Sequence, residues 1–175
     1  SLGVVDGRNI WRTDLDAAYA NGTLEVLLAL RNSAATASAV GATVELSDGV
    51  AAPAAPPIAT PAVRTVRIPA GGEAQARLVI PVRAPRRWSA DAPNLYTVLL
   101  TLKDATGKVI EVIPVRVGFR KVEIRSARIL INGQTVIFKG VNRHEHDPDT
   151  GHSLDRAVMV RDIELMKQHN VNAVR

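Results

Sequence analysis

Apolar and polar residues alternate in short runs through the first 120 residues, which predicts β-strands rather than helices. Turn-forming residues separate the runs at regular intervals, at residues 21–22, 47–49, 69–72 and 103–108. About seven short strands between such turns favour an antiparallel β-sandwich of the immunoglobulin type. Residues 51–61 are rich in Ala and Pro, so they are expected to form an edge or a loop rather than a central strand.

Two pairs of these strands are spaced like β-hairpins. The first pair, residues 64–68 and 74–82, flanks Pro-Ala-Gly-Gly at residues 69–72. The second pair, residues 95–102 and 109–117, flanks a polar loop that contains Thr-Gly. We therefore expect each pair to form neighbouring strands of one sheet.

The pattern changes after residue 121. Residues 129–131 and 135–138 flank Asn132-Gly133, which predicts a hairpin whose second strand, through Val136-Ile137-Phe138, is buried. Asp155 is a candidate N-cap for a helix with apolar residues at helical spacing, and residues 171–174 begin another strand. Strand, helix and strand in this order predict the first βα unit of a parallel barrel.

Composition and charge exclude several classes of protein. The chain has 175 residues, 46% of them hydrophobic, no Cys, and a net charge of +5. Lys and Arg are scattered among 17 acidic residues without a basic run interleaved with aromatics, so we expect no nucleic-acid partner. No apolar run reaches membrane-spanning length and no secretory signal is visible, which predicts a cytoplasmic protein without a membrane partner. Because residue 1 is Ser, we expect a truncated N-terminus.

A dense polar cluster, residues 142–146, follows the predicted buried strand. Active-site groups of a barrel lie at the carboxyl ends of its strands, so this cluster is a candidate site. Alternation along a strand would place His144 and His146 on one face, with Arg143 and Glu145 on the other.

Three interpretations of the cluster remain open on these residues alone. His144 and His146 could bind a metal with His152 as a third ligand. Glu145 and Asp147 could act as a paired acid and base, as in glycosidases. Alternatively, the segment is a hydrogen-bonded strand end that leads into the turn at residues 147–151.

Long, ordered motifs in the second half of the chain resemble glycoside hydrolase family 2, and within it the bacterial β-galactosidases. They are GVNRHEHDP at residues 140–148, DIELMKQ at residues 162–168 and NAVR at residues 172–175. Residues 88–89, 93–96 and 117–120 resemble the same family's sandwich domain and its junction with the barrel. Residues 1–87 carry no sharp motif of the family.

The resemblance implies a mostly β chain, with an immunoglobulin-like β-sandwich at residues 1–120 and the first βα unit of a truncated (β/α)8 barrel at residues 121–175. It implies a parent that is a retaining β-galactosidase, acts on β-galactosides and is a homo-oligomer. His144 matches the histidine that hydrogen-bonds the galactosyl ring, and Arg175 matches an arginine near the nucleophile. The rival functions are a β-glucuronidase or β-mannosidase of this family, or a non-catalytic immunoglobulin-like binding module.

The resemblance also places both catalytic glutamates on later barrel strands, so no catalytic residue is assigned in this chain and the chain alone is expected to be inactive. The magnesium that it implies for the parent, and sodium as a further candidate, would likewise be held by ligands on later strands. No residue of this chain is assigned to a metal.

Overall fold

The computed structural model describes residues 2–49, 56–146, 151–152 and 155–175. The chain forms two compact units. The first contains Ser1–Glu123 together with Leu130–Gln134, and the second contains Ile124–Ile129 together with Thr135–Arg175.

Two antiparallel sheets make up the first unit. Its strands are β1 (Leu2–Val4), β2 (Ile10–Leu15), β3 (Gly22–Asn32), β4 (Ser38–Asp48), β5 (Ala62–Ile68), β6 (Glu73–Val82), β7 (Tyr96–Lys103) and β8 (Val109–Val117). In one sheet, β3 pairs with β6 on one side and with β1 and β2 on the other. The second sheet has the order β5–β4–β7–β8. The predicted β-sandwich is therefore confirmed.

Alternate residues of both sheets fill one hydrophobic core. On β3, Leu24, Val26, Leu28 and Leu30 are each no more than 1% exposed. Alternate residues of β4, β6 and β7 belong to the same cluster. Fully burying one such aliphatic side chain contributes roughly 1.5–3 kcal/mol, so this period-two pattern stabilises the sandwich.

The prediction that residues 64–68 and 74–82 form a hairpin is wrong. β5 pairs with β4 in one sheet, whereas β6 pairs with β3 in the other, so residues 69–72 carry the chain from sheet to sheet. Alternation could not reveal this, because strands stacked across a core bury every second residue just as strands side by side do. The second predicted hairpin is confirmed, since β7 and β8 pair from Tyr96 to Lys103 with one irregularity between Leu102 and Lys103.

Asn32 joins two of the loops that cross between the sheets. It is completely buried. Its side-chain amide donates to the carbonyl of Thr36 at 2.8 Å and to that of Pro69 at 3.2 Å. Its side-chain oxygen accepts from the backbone N–H of Ala34 at 3.0 Å, and its own N–H donates to the carbonyl of Gly72 at 2.9 Å. One side chain thus fixes both the β3–β4 and the β5–β6 connections.

A second group of elements follows the sandwich. β9 (Val122–Arg125), β10 (Arg128–Ile131) and β11 (Gln134–Thr135) form a sheet in the order β11–β10–β9. The turn between β10 and β11 is the predicted Asn132-Gly133, whose residues both have positive φ, 51° and 78°. β12 (Gly140–Val141), α1 (Arg156–Gln168) and β13 (Ala173–Val174) then form a parallel βαβ unit, as predicted.

The helix α1 begins and ends where the sequence indicates. Asp155 is its N-cap and accepts a hydrogen bond from the N–H of Ala157. Asn170 adopts a left-handed φ of 59° just beyond the C-cap His169, and Lys167 lies in the last turn, where a cation favours the helix dipole.

The prediction of a buried strand through Val136-Ile137-Phe138 is wrong. Those residues are not part of a strand, Ile137 is 75% exposed and Phe138 is 53% exposed. The parallel pairing begins later, at Gly140. A barrel strand becomes buried only when neighbouring strands and helices cover both of its faces, and one neighbouring strand and one helix do not supply that cover.

Candidate functional site

Backbone hydrogen bonds extend the parallel pairing of β12 and β13 beyond their last residues. The N–H of Arg175 donates to the carbonyl of Val141 at 3.0 Å, and the N–H of Arg143 donates to the carbonyl of Arg175 at 2.9 Å. His144, which is exposed, follows Arg143 directly. The two residues predicted to bind substrate, His144 and Arg175, therefore leave the same end of two paired strands.

At the opposite end of this strand pair, Asn172 clamps the chain before β12. Its side-chain oxygen accepts from the N–H of Lys139 at 2.8 Å, and its amide donates to the carbonyl of Ile137 at 2.9 Å. Its backbone N–H donates to the carbonyl of Lys139 at 3.1 Å. No role was predicted for Asn172 from the sequence, where its place directly before a short strand was the available signal.

An ion pair connects the candidate site to the helix. Nε of Arg143 donates to Oδ2 of Asp162 at 2.8 Å, with the two side chains 16% and 35% exposed. Charge-assisted bonds of this kind are the stronger hydrogen bonds in proteins, and partial burial reduces their screening by solvent. This contact could not be predicted from the sequence, because the two residues belong to different motifs and no periodicity relates them.

The expectation that His144 and His146 share one face of a strand is wrong. The chain bends at Glu145, and the N–H of His146 donates back to the carbonyl of His144 at 3.0 Å. The bend ends the two-residue periodicity. His146 instead meets His152 edge to face, with ring centroids 5.3 Å apart, and Nδ1 of His152 lies 3.0 Å from the carbonyl oxygen of Glu145.

A metal site was one interpretation of the polar cluster at residues 142–146. Among the residues that the structure describes, no three His, Asp or Glu side chains come together in a way that could hold a metal ion. Within the described residues, His144, His146 and His152 are therefore not brought together as three ligands of one metal. Asp147, the second member of the suggested acid–base pair, and residues 147–150 of the suggested turn lie outside the described residues.

The described part of the chain holds no helix that could cross a membrane. Its single helix of 13 residues has no buried residue.

Two family descriptions together match almost the whole chain. Residues 9–120 match "Glycosyl hydrolases family 2". Residues 122–175 match "Glycosyl hydrolases family 2, TIM barrel domain".

Curated relatives with the name β-galactosidase match along most of the chain. That of Photobacterium profundum is 43% identical over 162 residues, which are 93% of this chain and 15% of that protein. That of Vibrio vulnificus is 39% identical over 165 residues, again 93% of this chain and 15% of that protein. Over a shorter stretch of 95 residues, 54% of this chain and 9% of the relative, the β-galactosidase of Priestia megaterium is 50% identical. The chain thus spans about 15% of the length of the first two relatives.

Solved structures share the fold at lower identity. A glycosyl hydrolase family 2 member from Bacteroides cellulosilyticus superposes with a TM-score of 0.84 at 23% identity, covering 95% of this chain and 22% of that one. A β-glucuronidase from Bacteroides uniformis superposes with a TM-score of 0.80 at 21% identity, covering 95% of this chain and 20% of that one. The predicted fold is confirmed: an immunoglobulin-like β-sandwich followed by the start of a (β/α)8 barrel.

Proposed function

The chain belongs to glycoside hydrolase family 2, and from this premise we propose that the whole protein is a retaining β-galactosidase that hydrolyses terminal non-reducing β-D-galactose residues in β-galactosides. The observation that carries the proposal is the 43% identity to a β-galactosidase along 93% of this chain. Retaining glycosidases use two carboxylic acids about 5–5.5 Å apart, one as acid/base and one as nucleophile. We place both in the part of the protein beyond this chain, together with the ligands of magnesium.

Within the proposed enzyme, residues 1–120 are a supporting sandwich domain and residues 121–175 begin the catalytic barrel. This chain alone is inactive in the proposal, because it lacks both acids. The homo-oligomer that the family resemblance implies belongs to the same proposal, as does a location in the cytoplasm.

His144 is the residue of this chain that we propose contacts the galactosyl ring. It is exposed and follows the carboxyl end of β12, the end at which barrel enzymes place their active sites. An imidazole N–H there donates to a substrate hydroxyl, and a hydrogen bond that tightens in the transition state lowers the barrier selectively. Arg175 leaves the neighbouring strand at the same end, and we propose that it lies near the nucleophile.

A substrate comparison tests the proposed specificity. The full-length protein would be assayed with aryl β-galactoside, β-glucuronide and β-mannoside, and we expect the highest kcat/KM for the galactoside. The alternative is a β-glucuronidase, the activity named for one of the solved structures that share this fold, with a TM-score of 0.80. A higher kcat/KM for the glucuronide would replace our proposal with that alternative.

Substitution of His144 tests the site. In the full-length enzyme, we expect His144→Ala to lower kcat/KM by about 10²–10³ with little change in melting temperature, the range for removing one transition-state hydrogen-bond donor. His146→Ala and His152→Ala are matched controls, because these rings contact each other, and milder effects are expected. Wild-type kinetics in His144→Ala alongside loss of activity in His146→Ala would refute the assignment.

A further inference from the structure

We propose that Arg143 and Asp162 are positioning residues for His144, a role that rests on the proposed function. Arg143 is the residue directly before His144, so its backbone and side chain set where His144 leaves the strand. Neither residue needs to touch substrate to act in this way. Asp162 acts through Arg143, and Arg143 acts through His144.

Arg143 is held by two different elements. Its backbone N–H donates to the carbonyl of Arg175 at 2.9 Å, which ties it to the chain following β13. Its side chain reaches Asp162, inside α1, at 2.8 Å. Since Asp162 lies well within the 13-residue helix rather than on a loop, the anchor for the strand end is a rigid element.

The chemistry of the pair suits a directional restraint. Guanidinium is planar and always charged, so its bond to a carboxylate fixes a direction as well as a distance. The side chain of Arg143 is only 16% exposed, which limits competition from water. By contrast, the rings of His146 and His152 are not part of this restraint; they contact each other after the bend at Glu145.

Asn172, at the opposite end of the strand pair β12–β13, serves as a control for Arg143 and Asp162. Asn172 makes hydrogen bonds to Ile137 and Lys139, residues that precede β12. In a barrel, the amino ends of the strands serve stability and the carboxyl ends serve catalysis. Losing Asn172 should therefore lower stability, whereas losing Arg143 or Asp162 should lower transition-state stabilisation.

A double-mutant cycle in the full-length enzyme tests the proposal. Arg143→Ala and Asp162→Ala should each lower kcat/KM by about 10- to 100-fold, because a displacement near 1 Å can cost about 100-fold in rate. The double variant should be no worse than the more damaged single variant, since one contact is lost in each case. In a His144→Ala background, Arg143→Ala should cause no further loss.

Matched controls separate positioning from folding. Asn172→Ala should lower the melting temperature while kcat/KM of the folded enzyme stays near the wild-type value. If Arg143→Ala does not fold, Arg143→Lys and Asp162→Asn complete the same cycle with smaller changes in volume. Additive losses, or an equal loss of activity when His144 is already absent, would overturn the proposal.

The cycle is measured on whichever aryl glycoside the wild-type enzyme hydrolyses fastest. Failure of the galactosidase proposal therefore appears in the substrate comparison. Failure of the positioning proposal appears in the cycle.

Discussion

At the scale of single residues, the side chain of Asn32 connects two loops of the sandwich. It is completely buried, and its amide satisfies the carbonyls of Thr36 and Pro69 and the N–H of Ala34. An aliphatic side chain at this position would remove all three bonds, although the carbonyl of Pro69 would keep its bond from the N–H of Gly72 at 3.2 Å. Each intramolecular hydrogen bond of this kind contributes about 0.5–1.5 kcal/mol to stability.

We therefore expect Asn32→Ala to lower the free energy of unfolding of the chain by about 3 kcal/mol, as measured by urea denaturation. Asn21→Ala is the matched control, because Asn21 is exposed and bonds to the exposed Asp16. Its effect should stay within about 0.5–1 kcal/mol. Equal losses in the two variants would show that Asn32 does not hold the crossing loops.

At the scale of elements, the loop between β7 and β8 is organised by one carboxylate. Asp104 accepts from the hydroxyl of Thr106 at 2.6 Å, from the N–H of Thr106 at 2.9 Å and from the N–H of Lys108 at 3.1 Å. These bonds, above all the one from the Thr106 hydroxyl, lower the pKa of Asp104 below its ordinary value of 3.8.

Because its folded-state pKa is lowered, Asp104 stabilises the hairpin above its unfolded pKa, and this stabilisation is lost as pH falls through the folded pKa. We expect Thr106→Val to raise the pKa of Asp104 toward 3.8, as followed by NMR titration of the side-chain carboxyl carbon. Thr97→Val is the control, because the Thr97 hydroxyl bonds to Gly49 instead. An unchanged pKa in Thr106→Val would contradict the assigned cause.

Elements that are fixed by contacts between neighbouring residues could be predicted from the sequence. The loop between β7 and β8 is held by hydrogen bonds between residues close in sequence, and the caps of α1 lie beside its first and last turns. The β5–β6 connection could not be predicted, because the bond that fixes it comes from Asn32, far away in the sequence. Likewise, Ile137 and Phe138 have the composition of a buried strand, but burial depends on neighbours that composition does not describe.

For the candidate site too, residues in contiguous motifs could be predicted, whereas a contact between distant residues could not. His144 and Arg175 were identified from contiguous motifs, and the structure brings the ends of their two strands together. Their roles toward substrate stay predictions. The ion pair of Arg143 with Asp162 connects a strand to a helix, and only the folded chain shows which acid Arg143 meets.

At the scale of the whole molecule, the two units differ in how much of their apolar surface they bury. Most core residues lie on β3, β4, β6 and β7 of the sandwich, whereas α1 has no buried residue. On α1, Ile163 is 52% exposed and Leu165 is 44% exposed. A domain that cannot cover its apolar faces gains too little from burial to offset the entropy of folding.

We therefore expect an isolated piece of residues 1–120 to fold and an isolated piece of residues 121–175 to remain unfolded. Amide hydrogen exchange would show protected strands in the first piece and no strong protection in the second. A piece of residues 1–135 should be more stable than 1–120, because Asn132 donates to the carbonyl of Trp88 at 2.9 Å. Strong protection throughout an isolated 121–175 peptide would contradict this expectation.

The pairing of β3 with β6 sets the order of events during synthesis on the ribosome. Gly22 pairs with Val82 and Arg31 with Glu73, so β3 has no partner on that edge until β6 has been made. Ribosomes add roughly 5–20 residues per second, so the apolar β3 waits for seconds with an open edge. An open apolar strand edge can pair with other chains, so the nascent chain is exposed to aggregation during this interval.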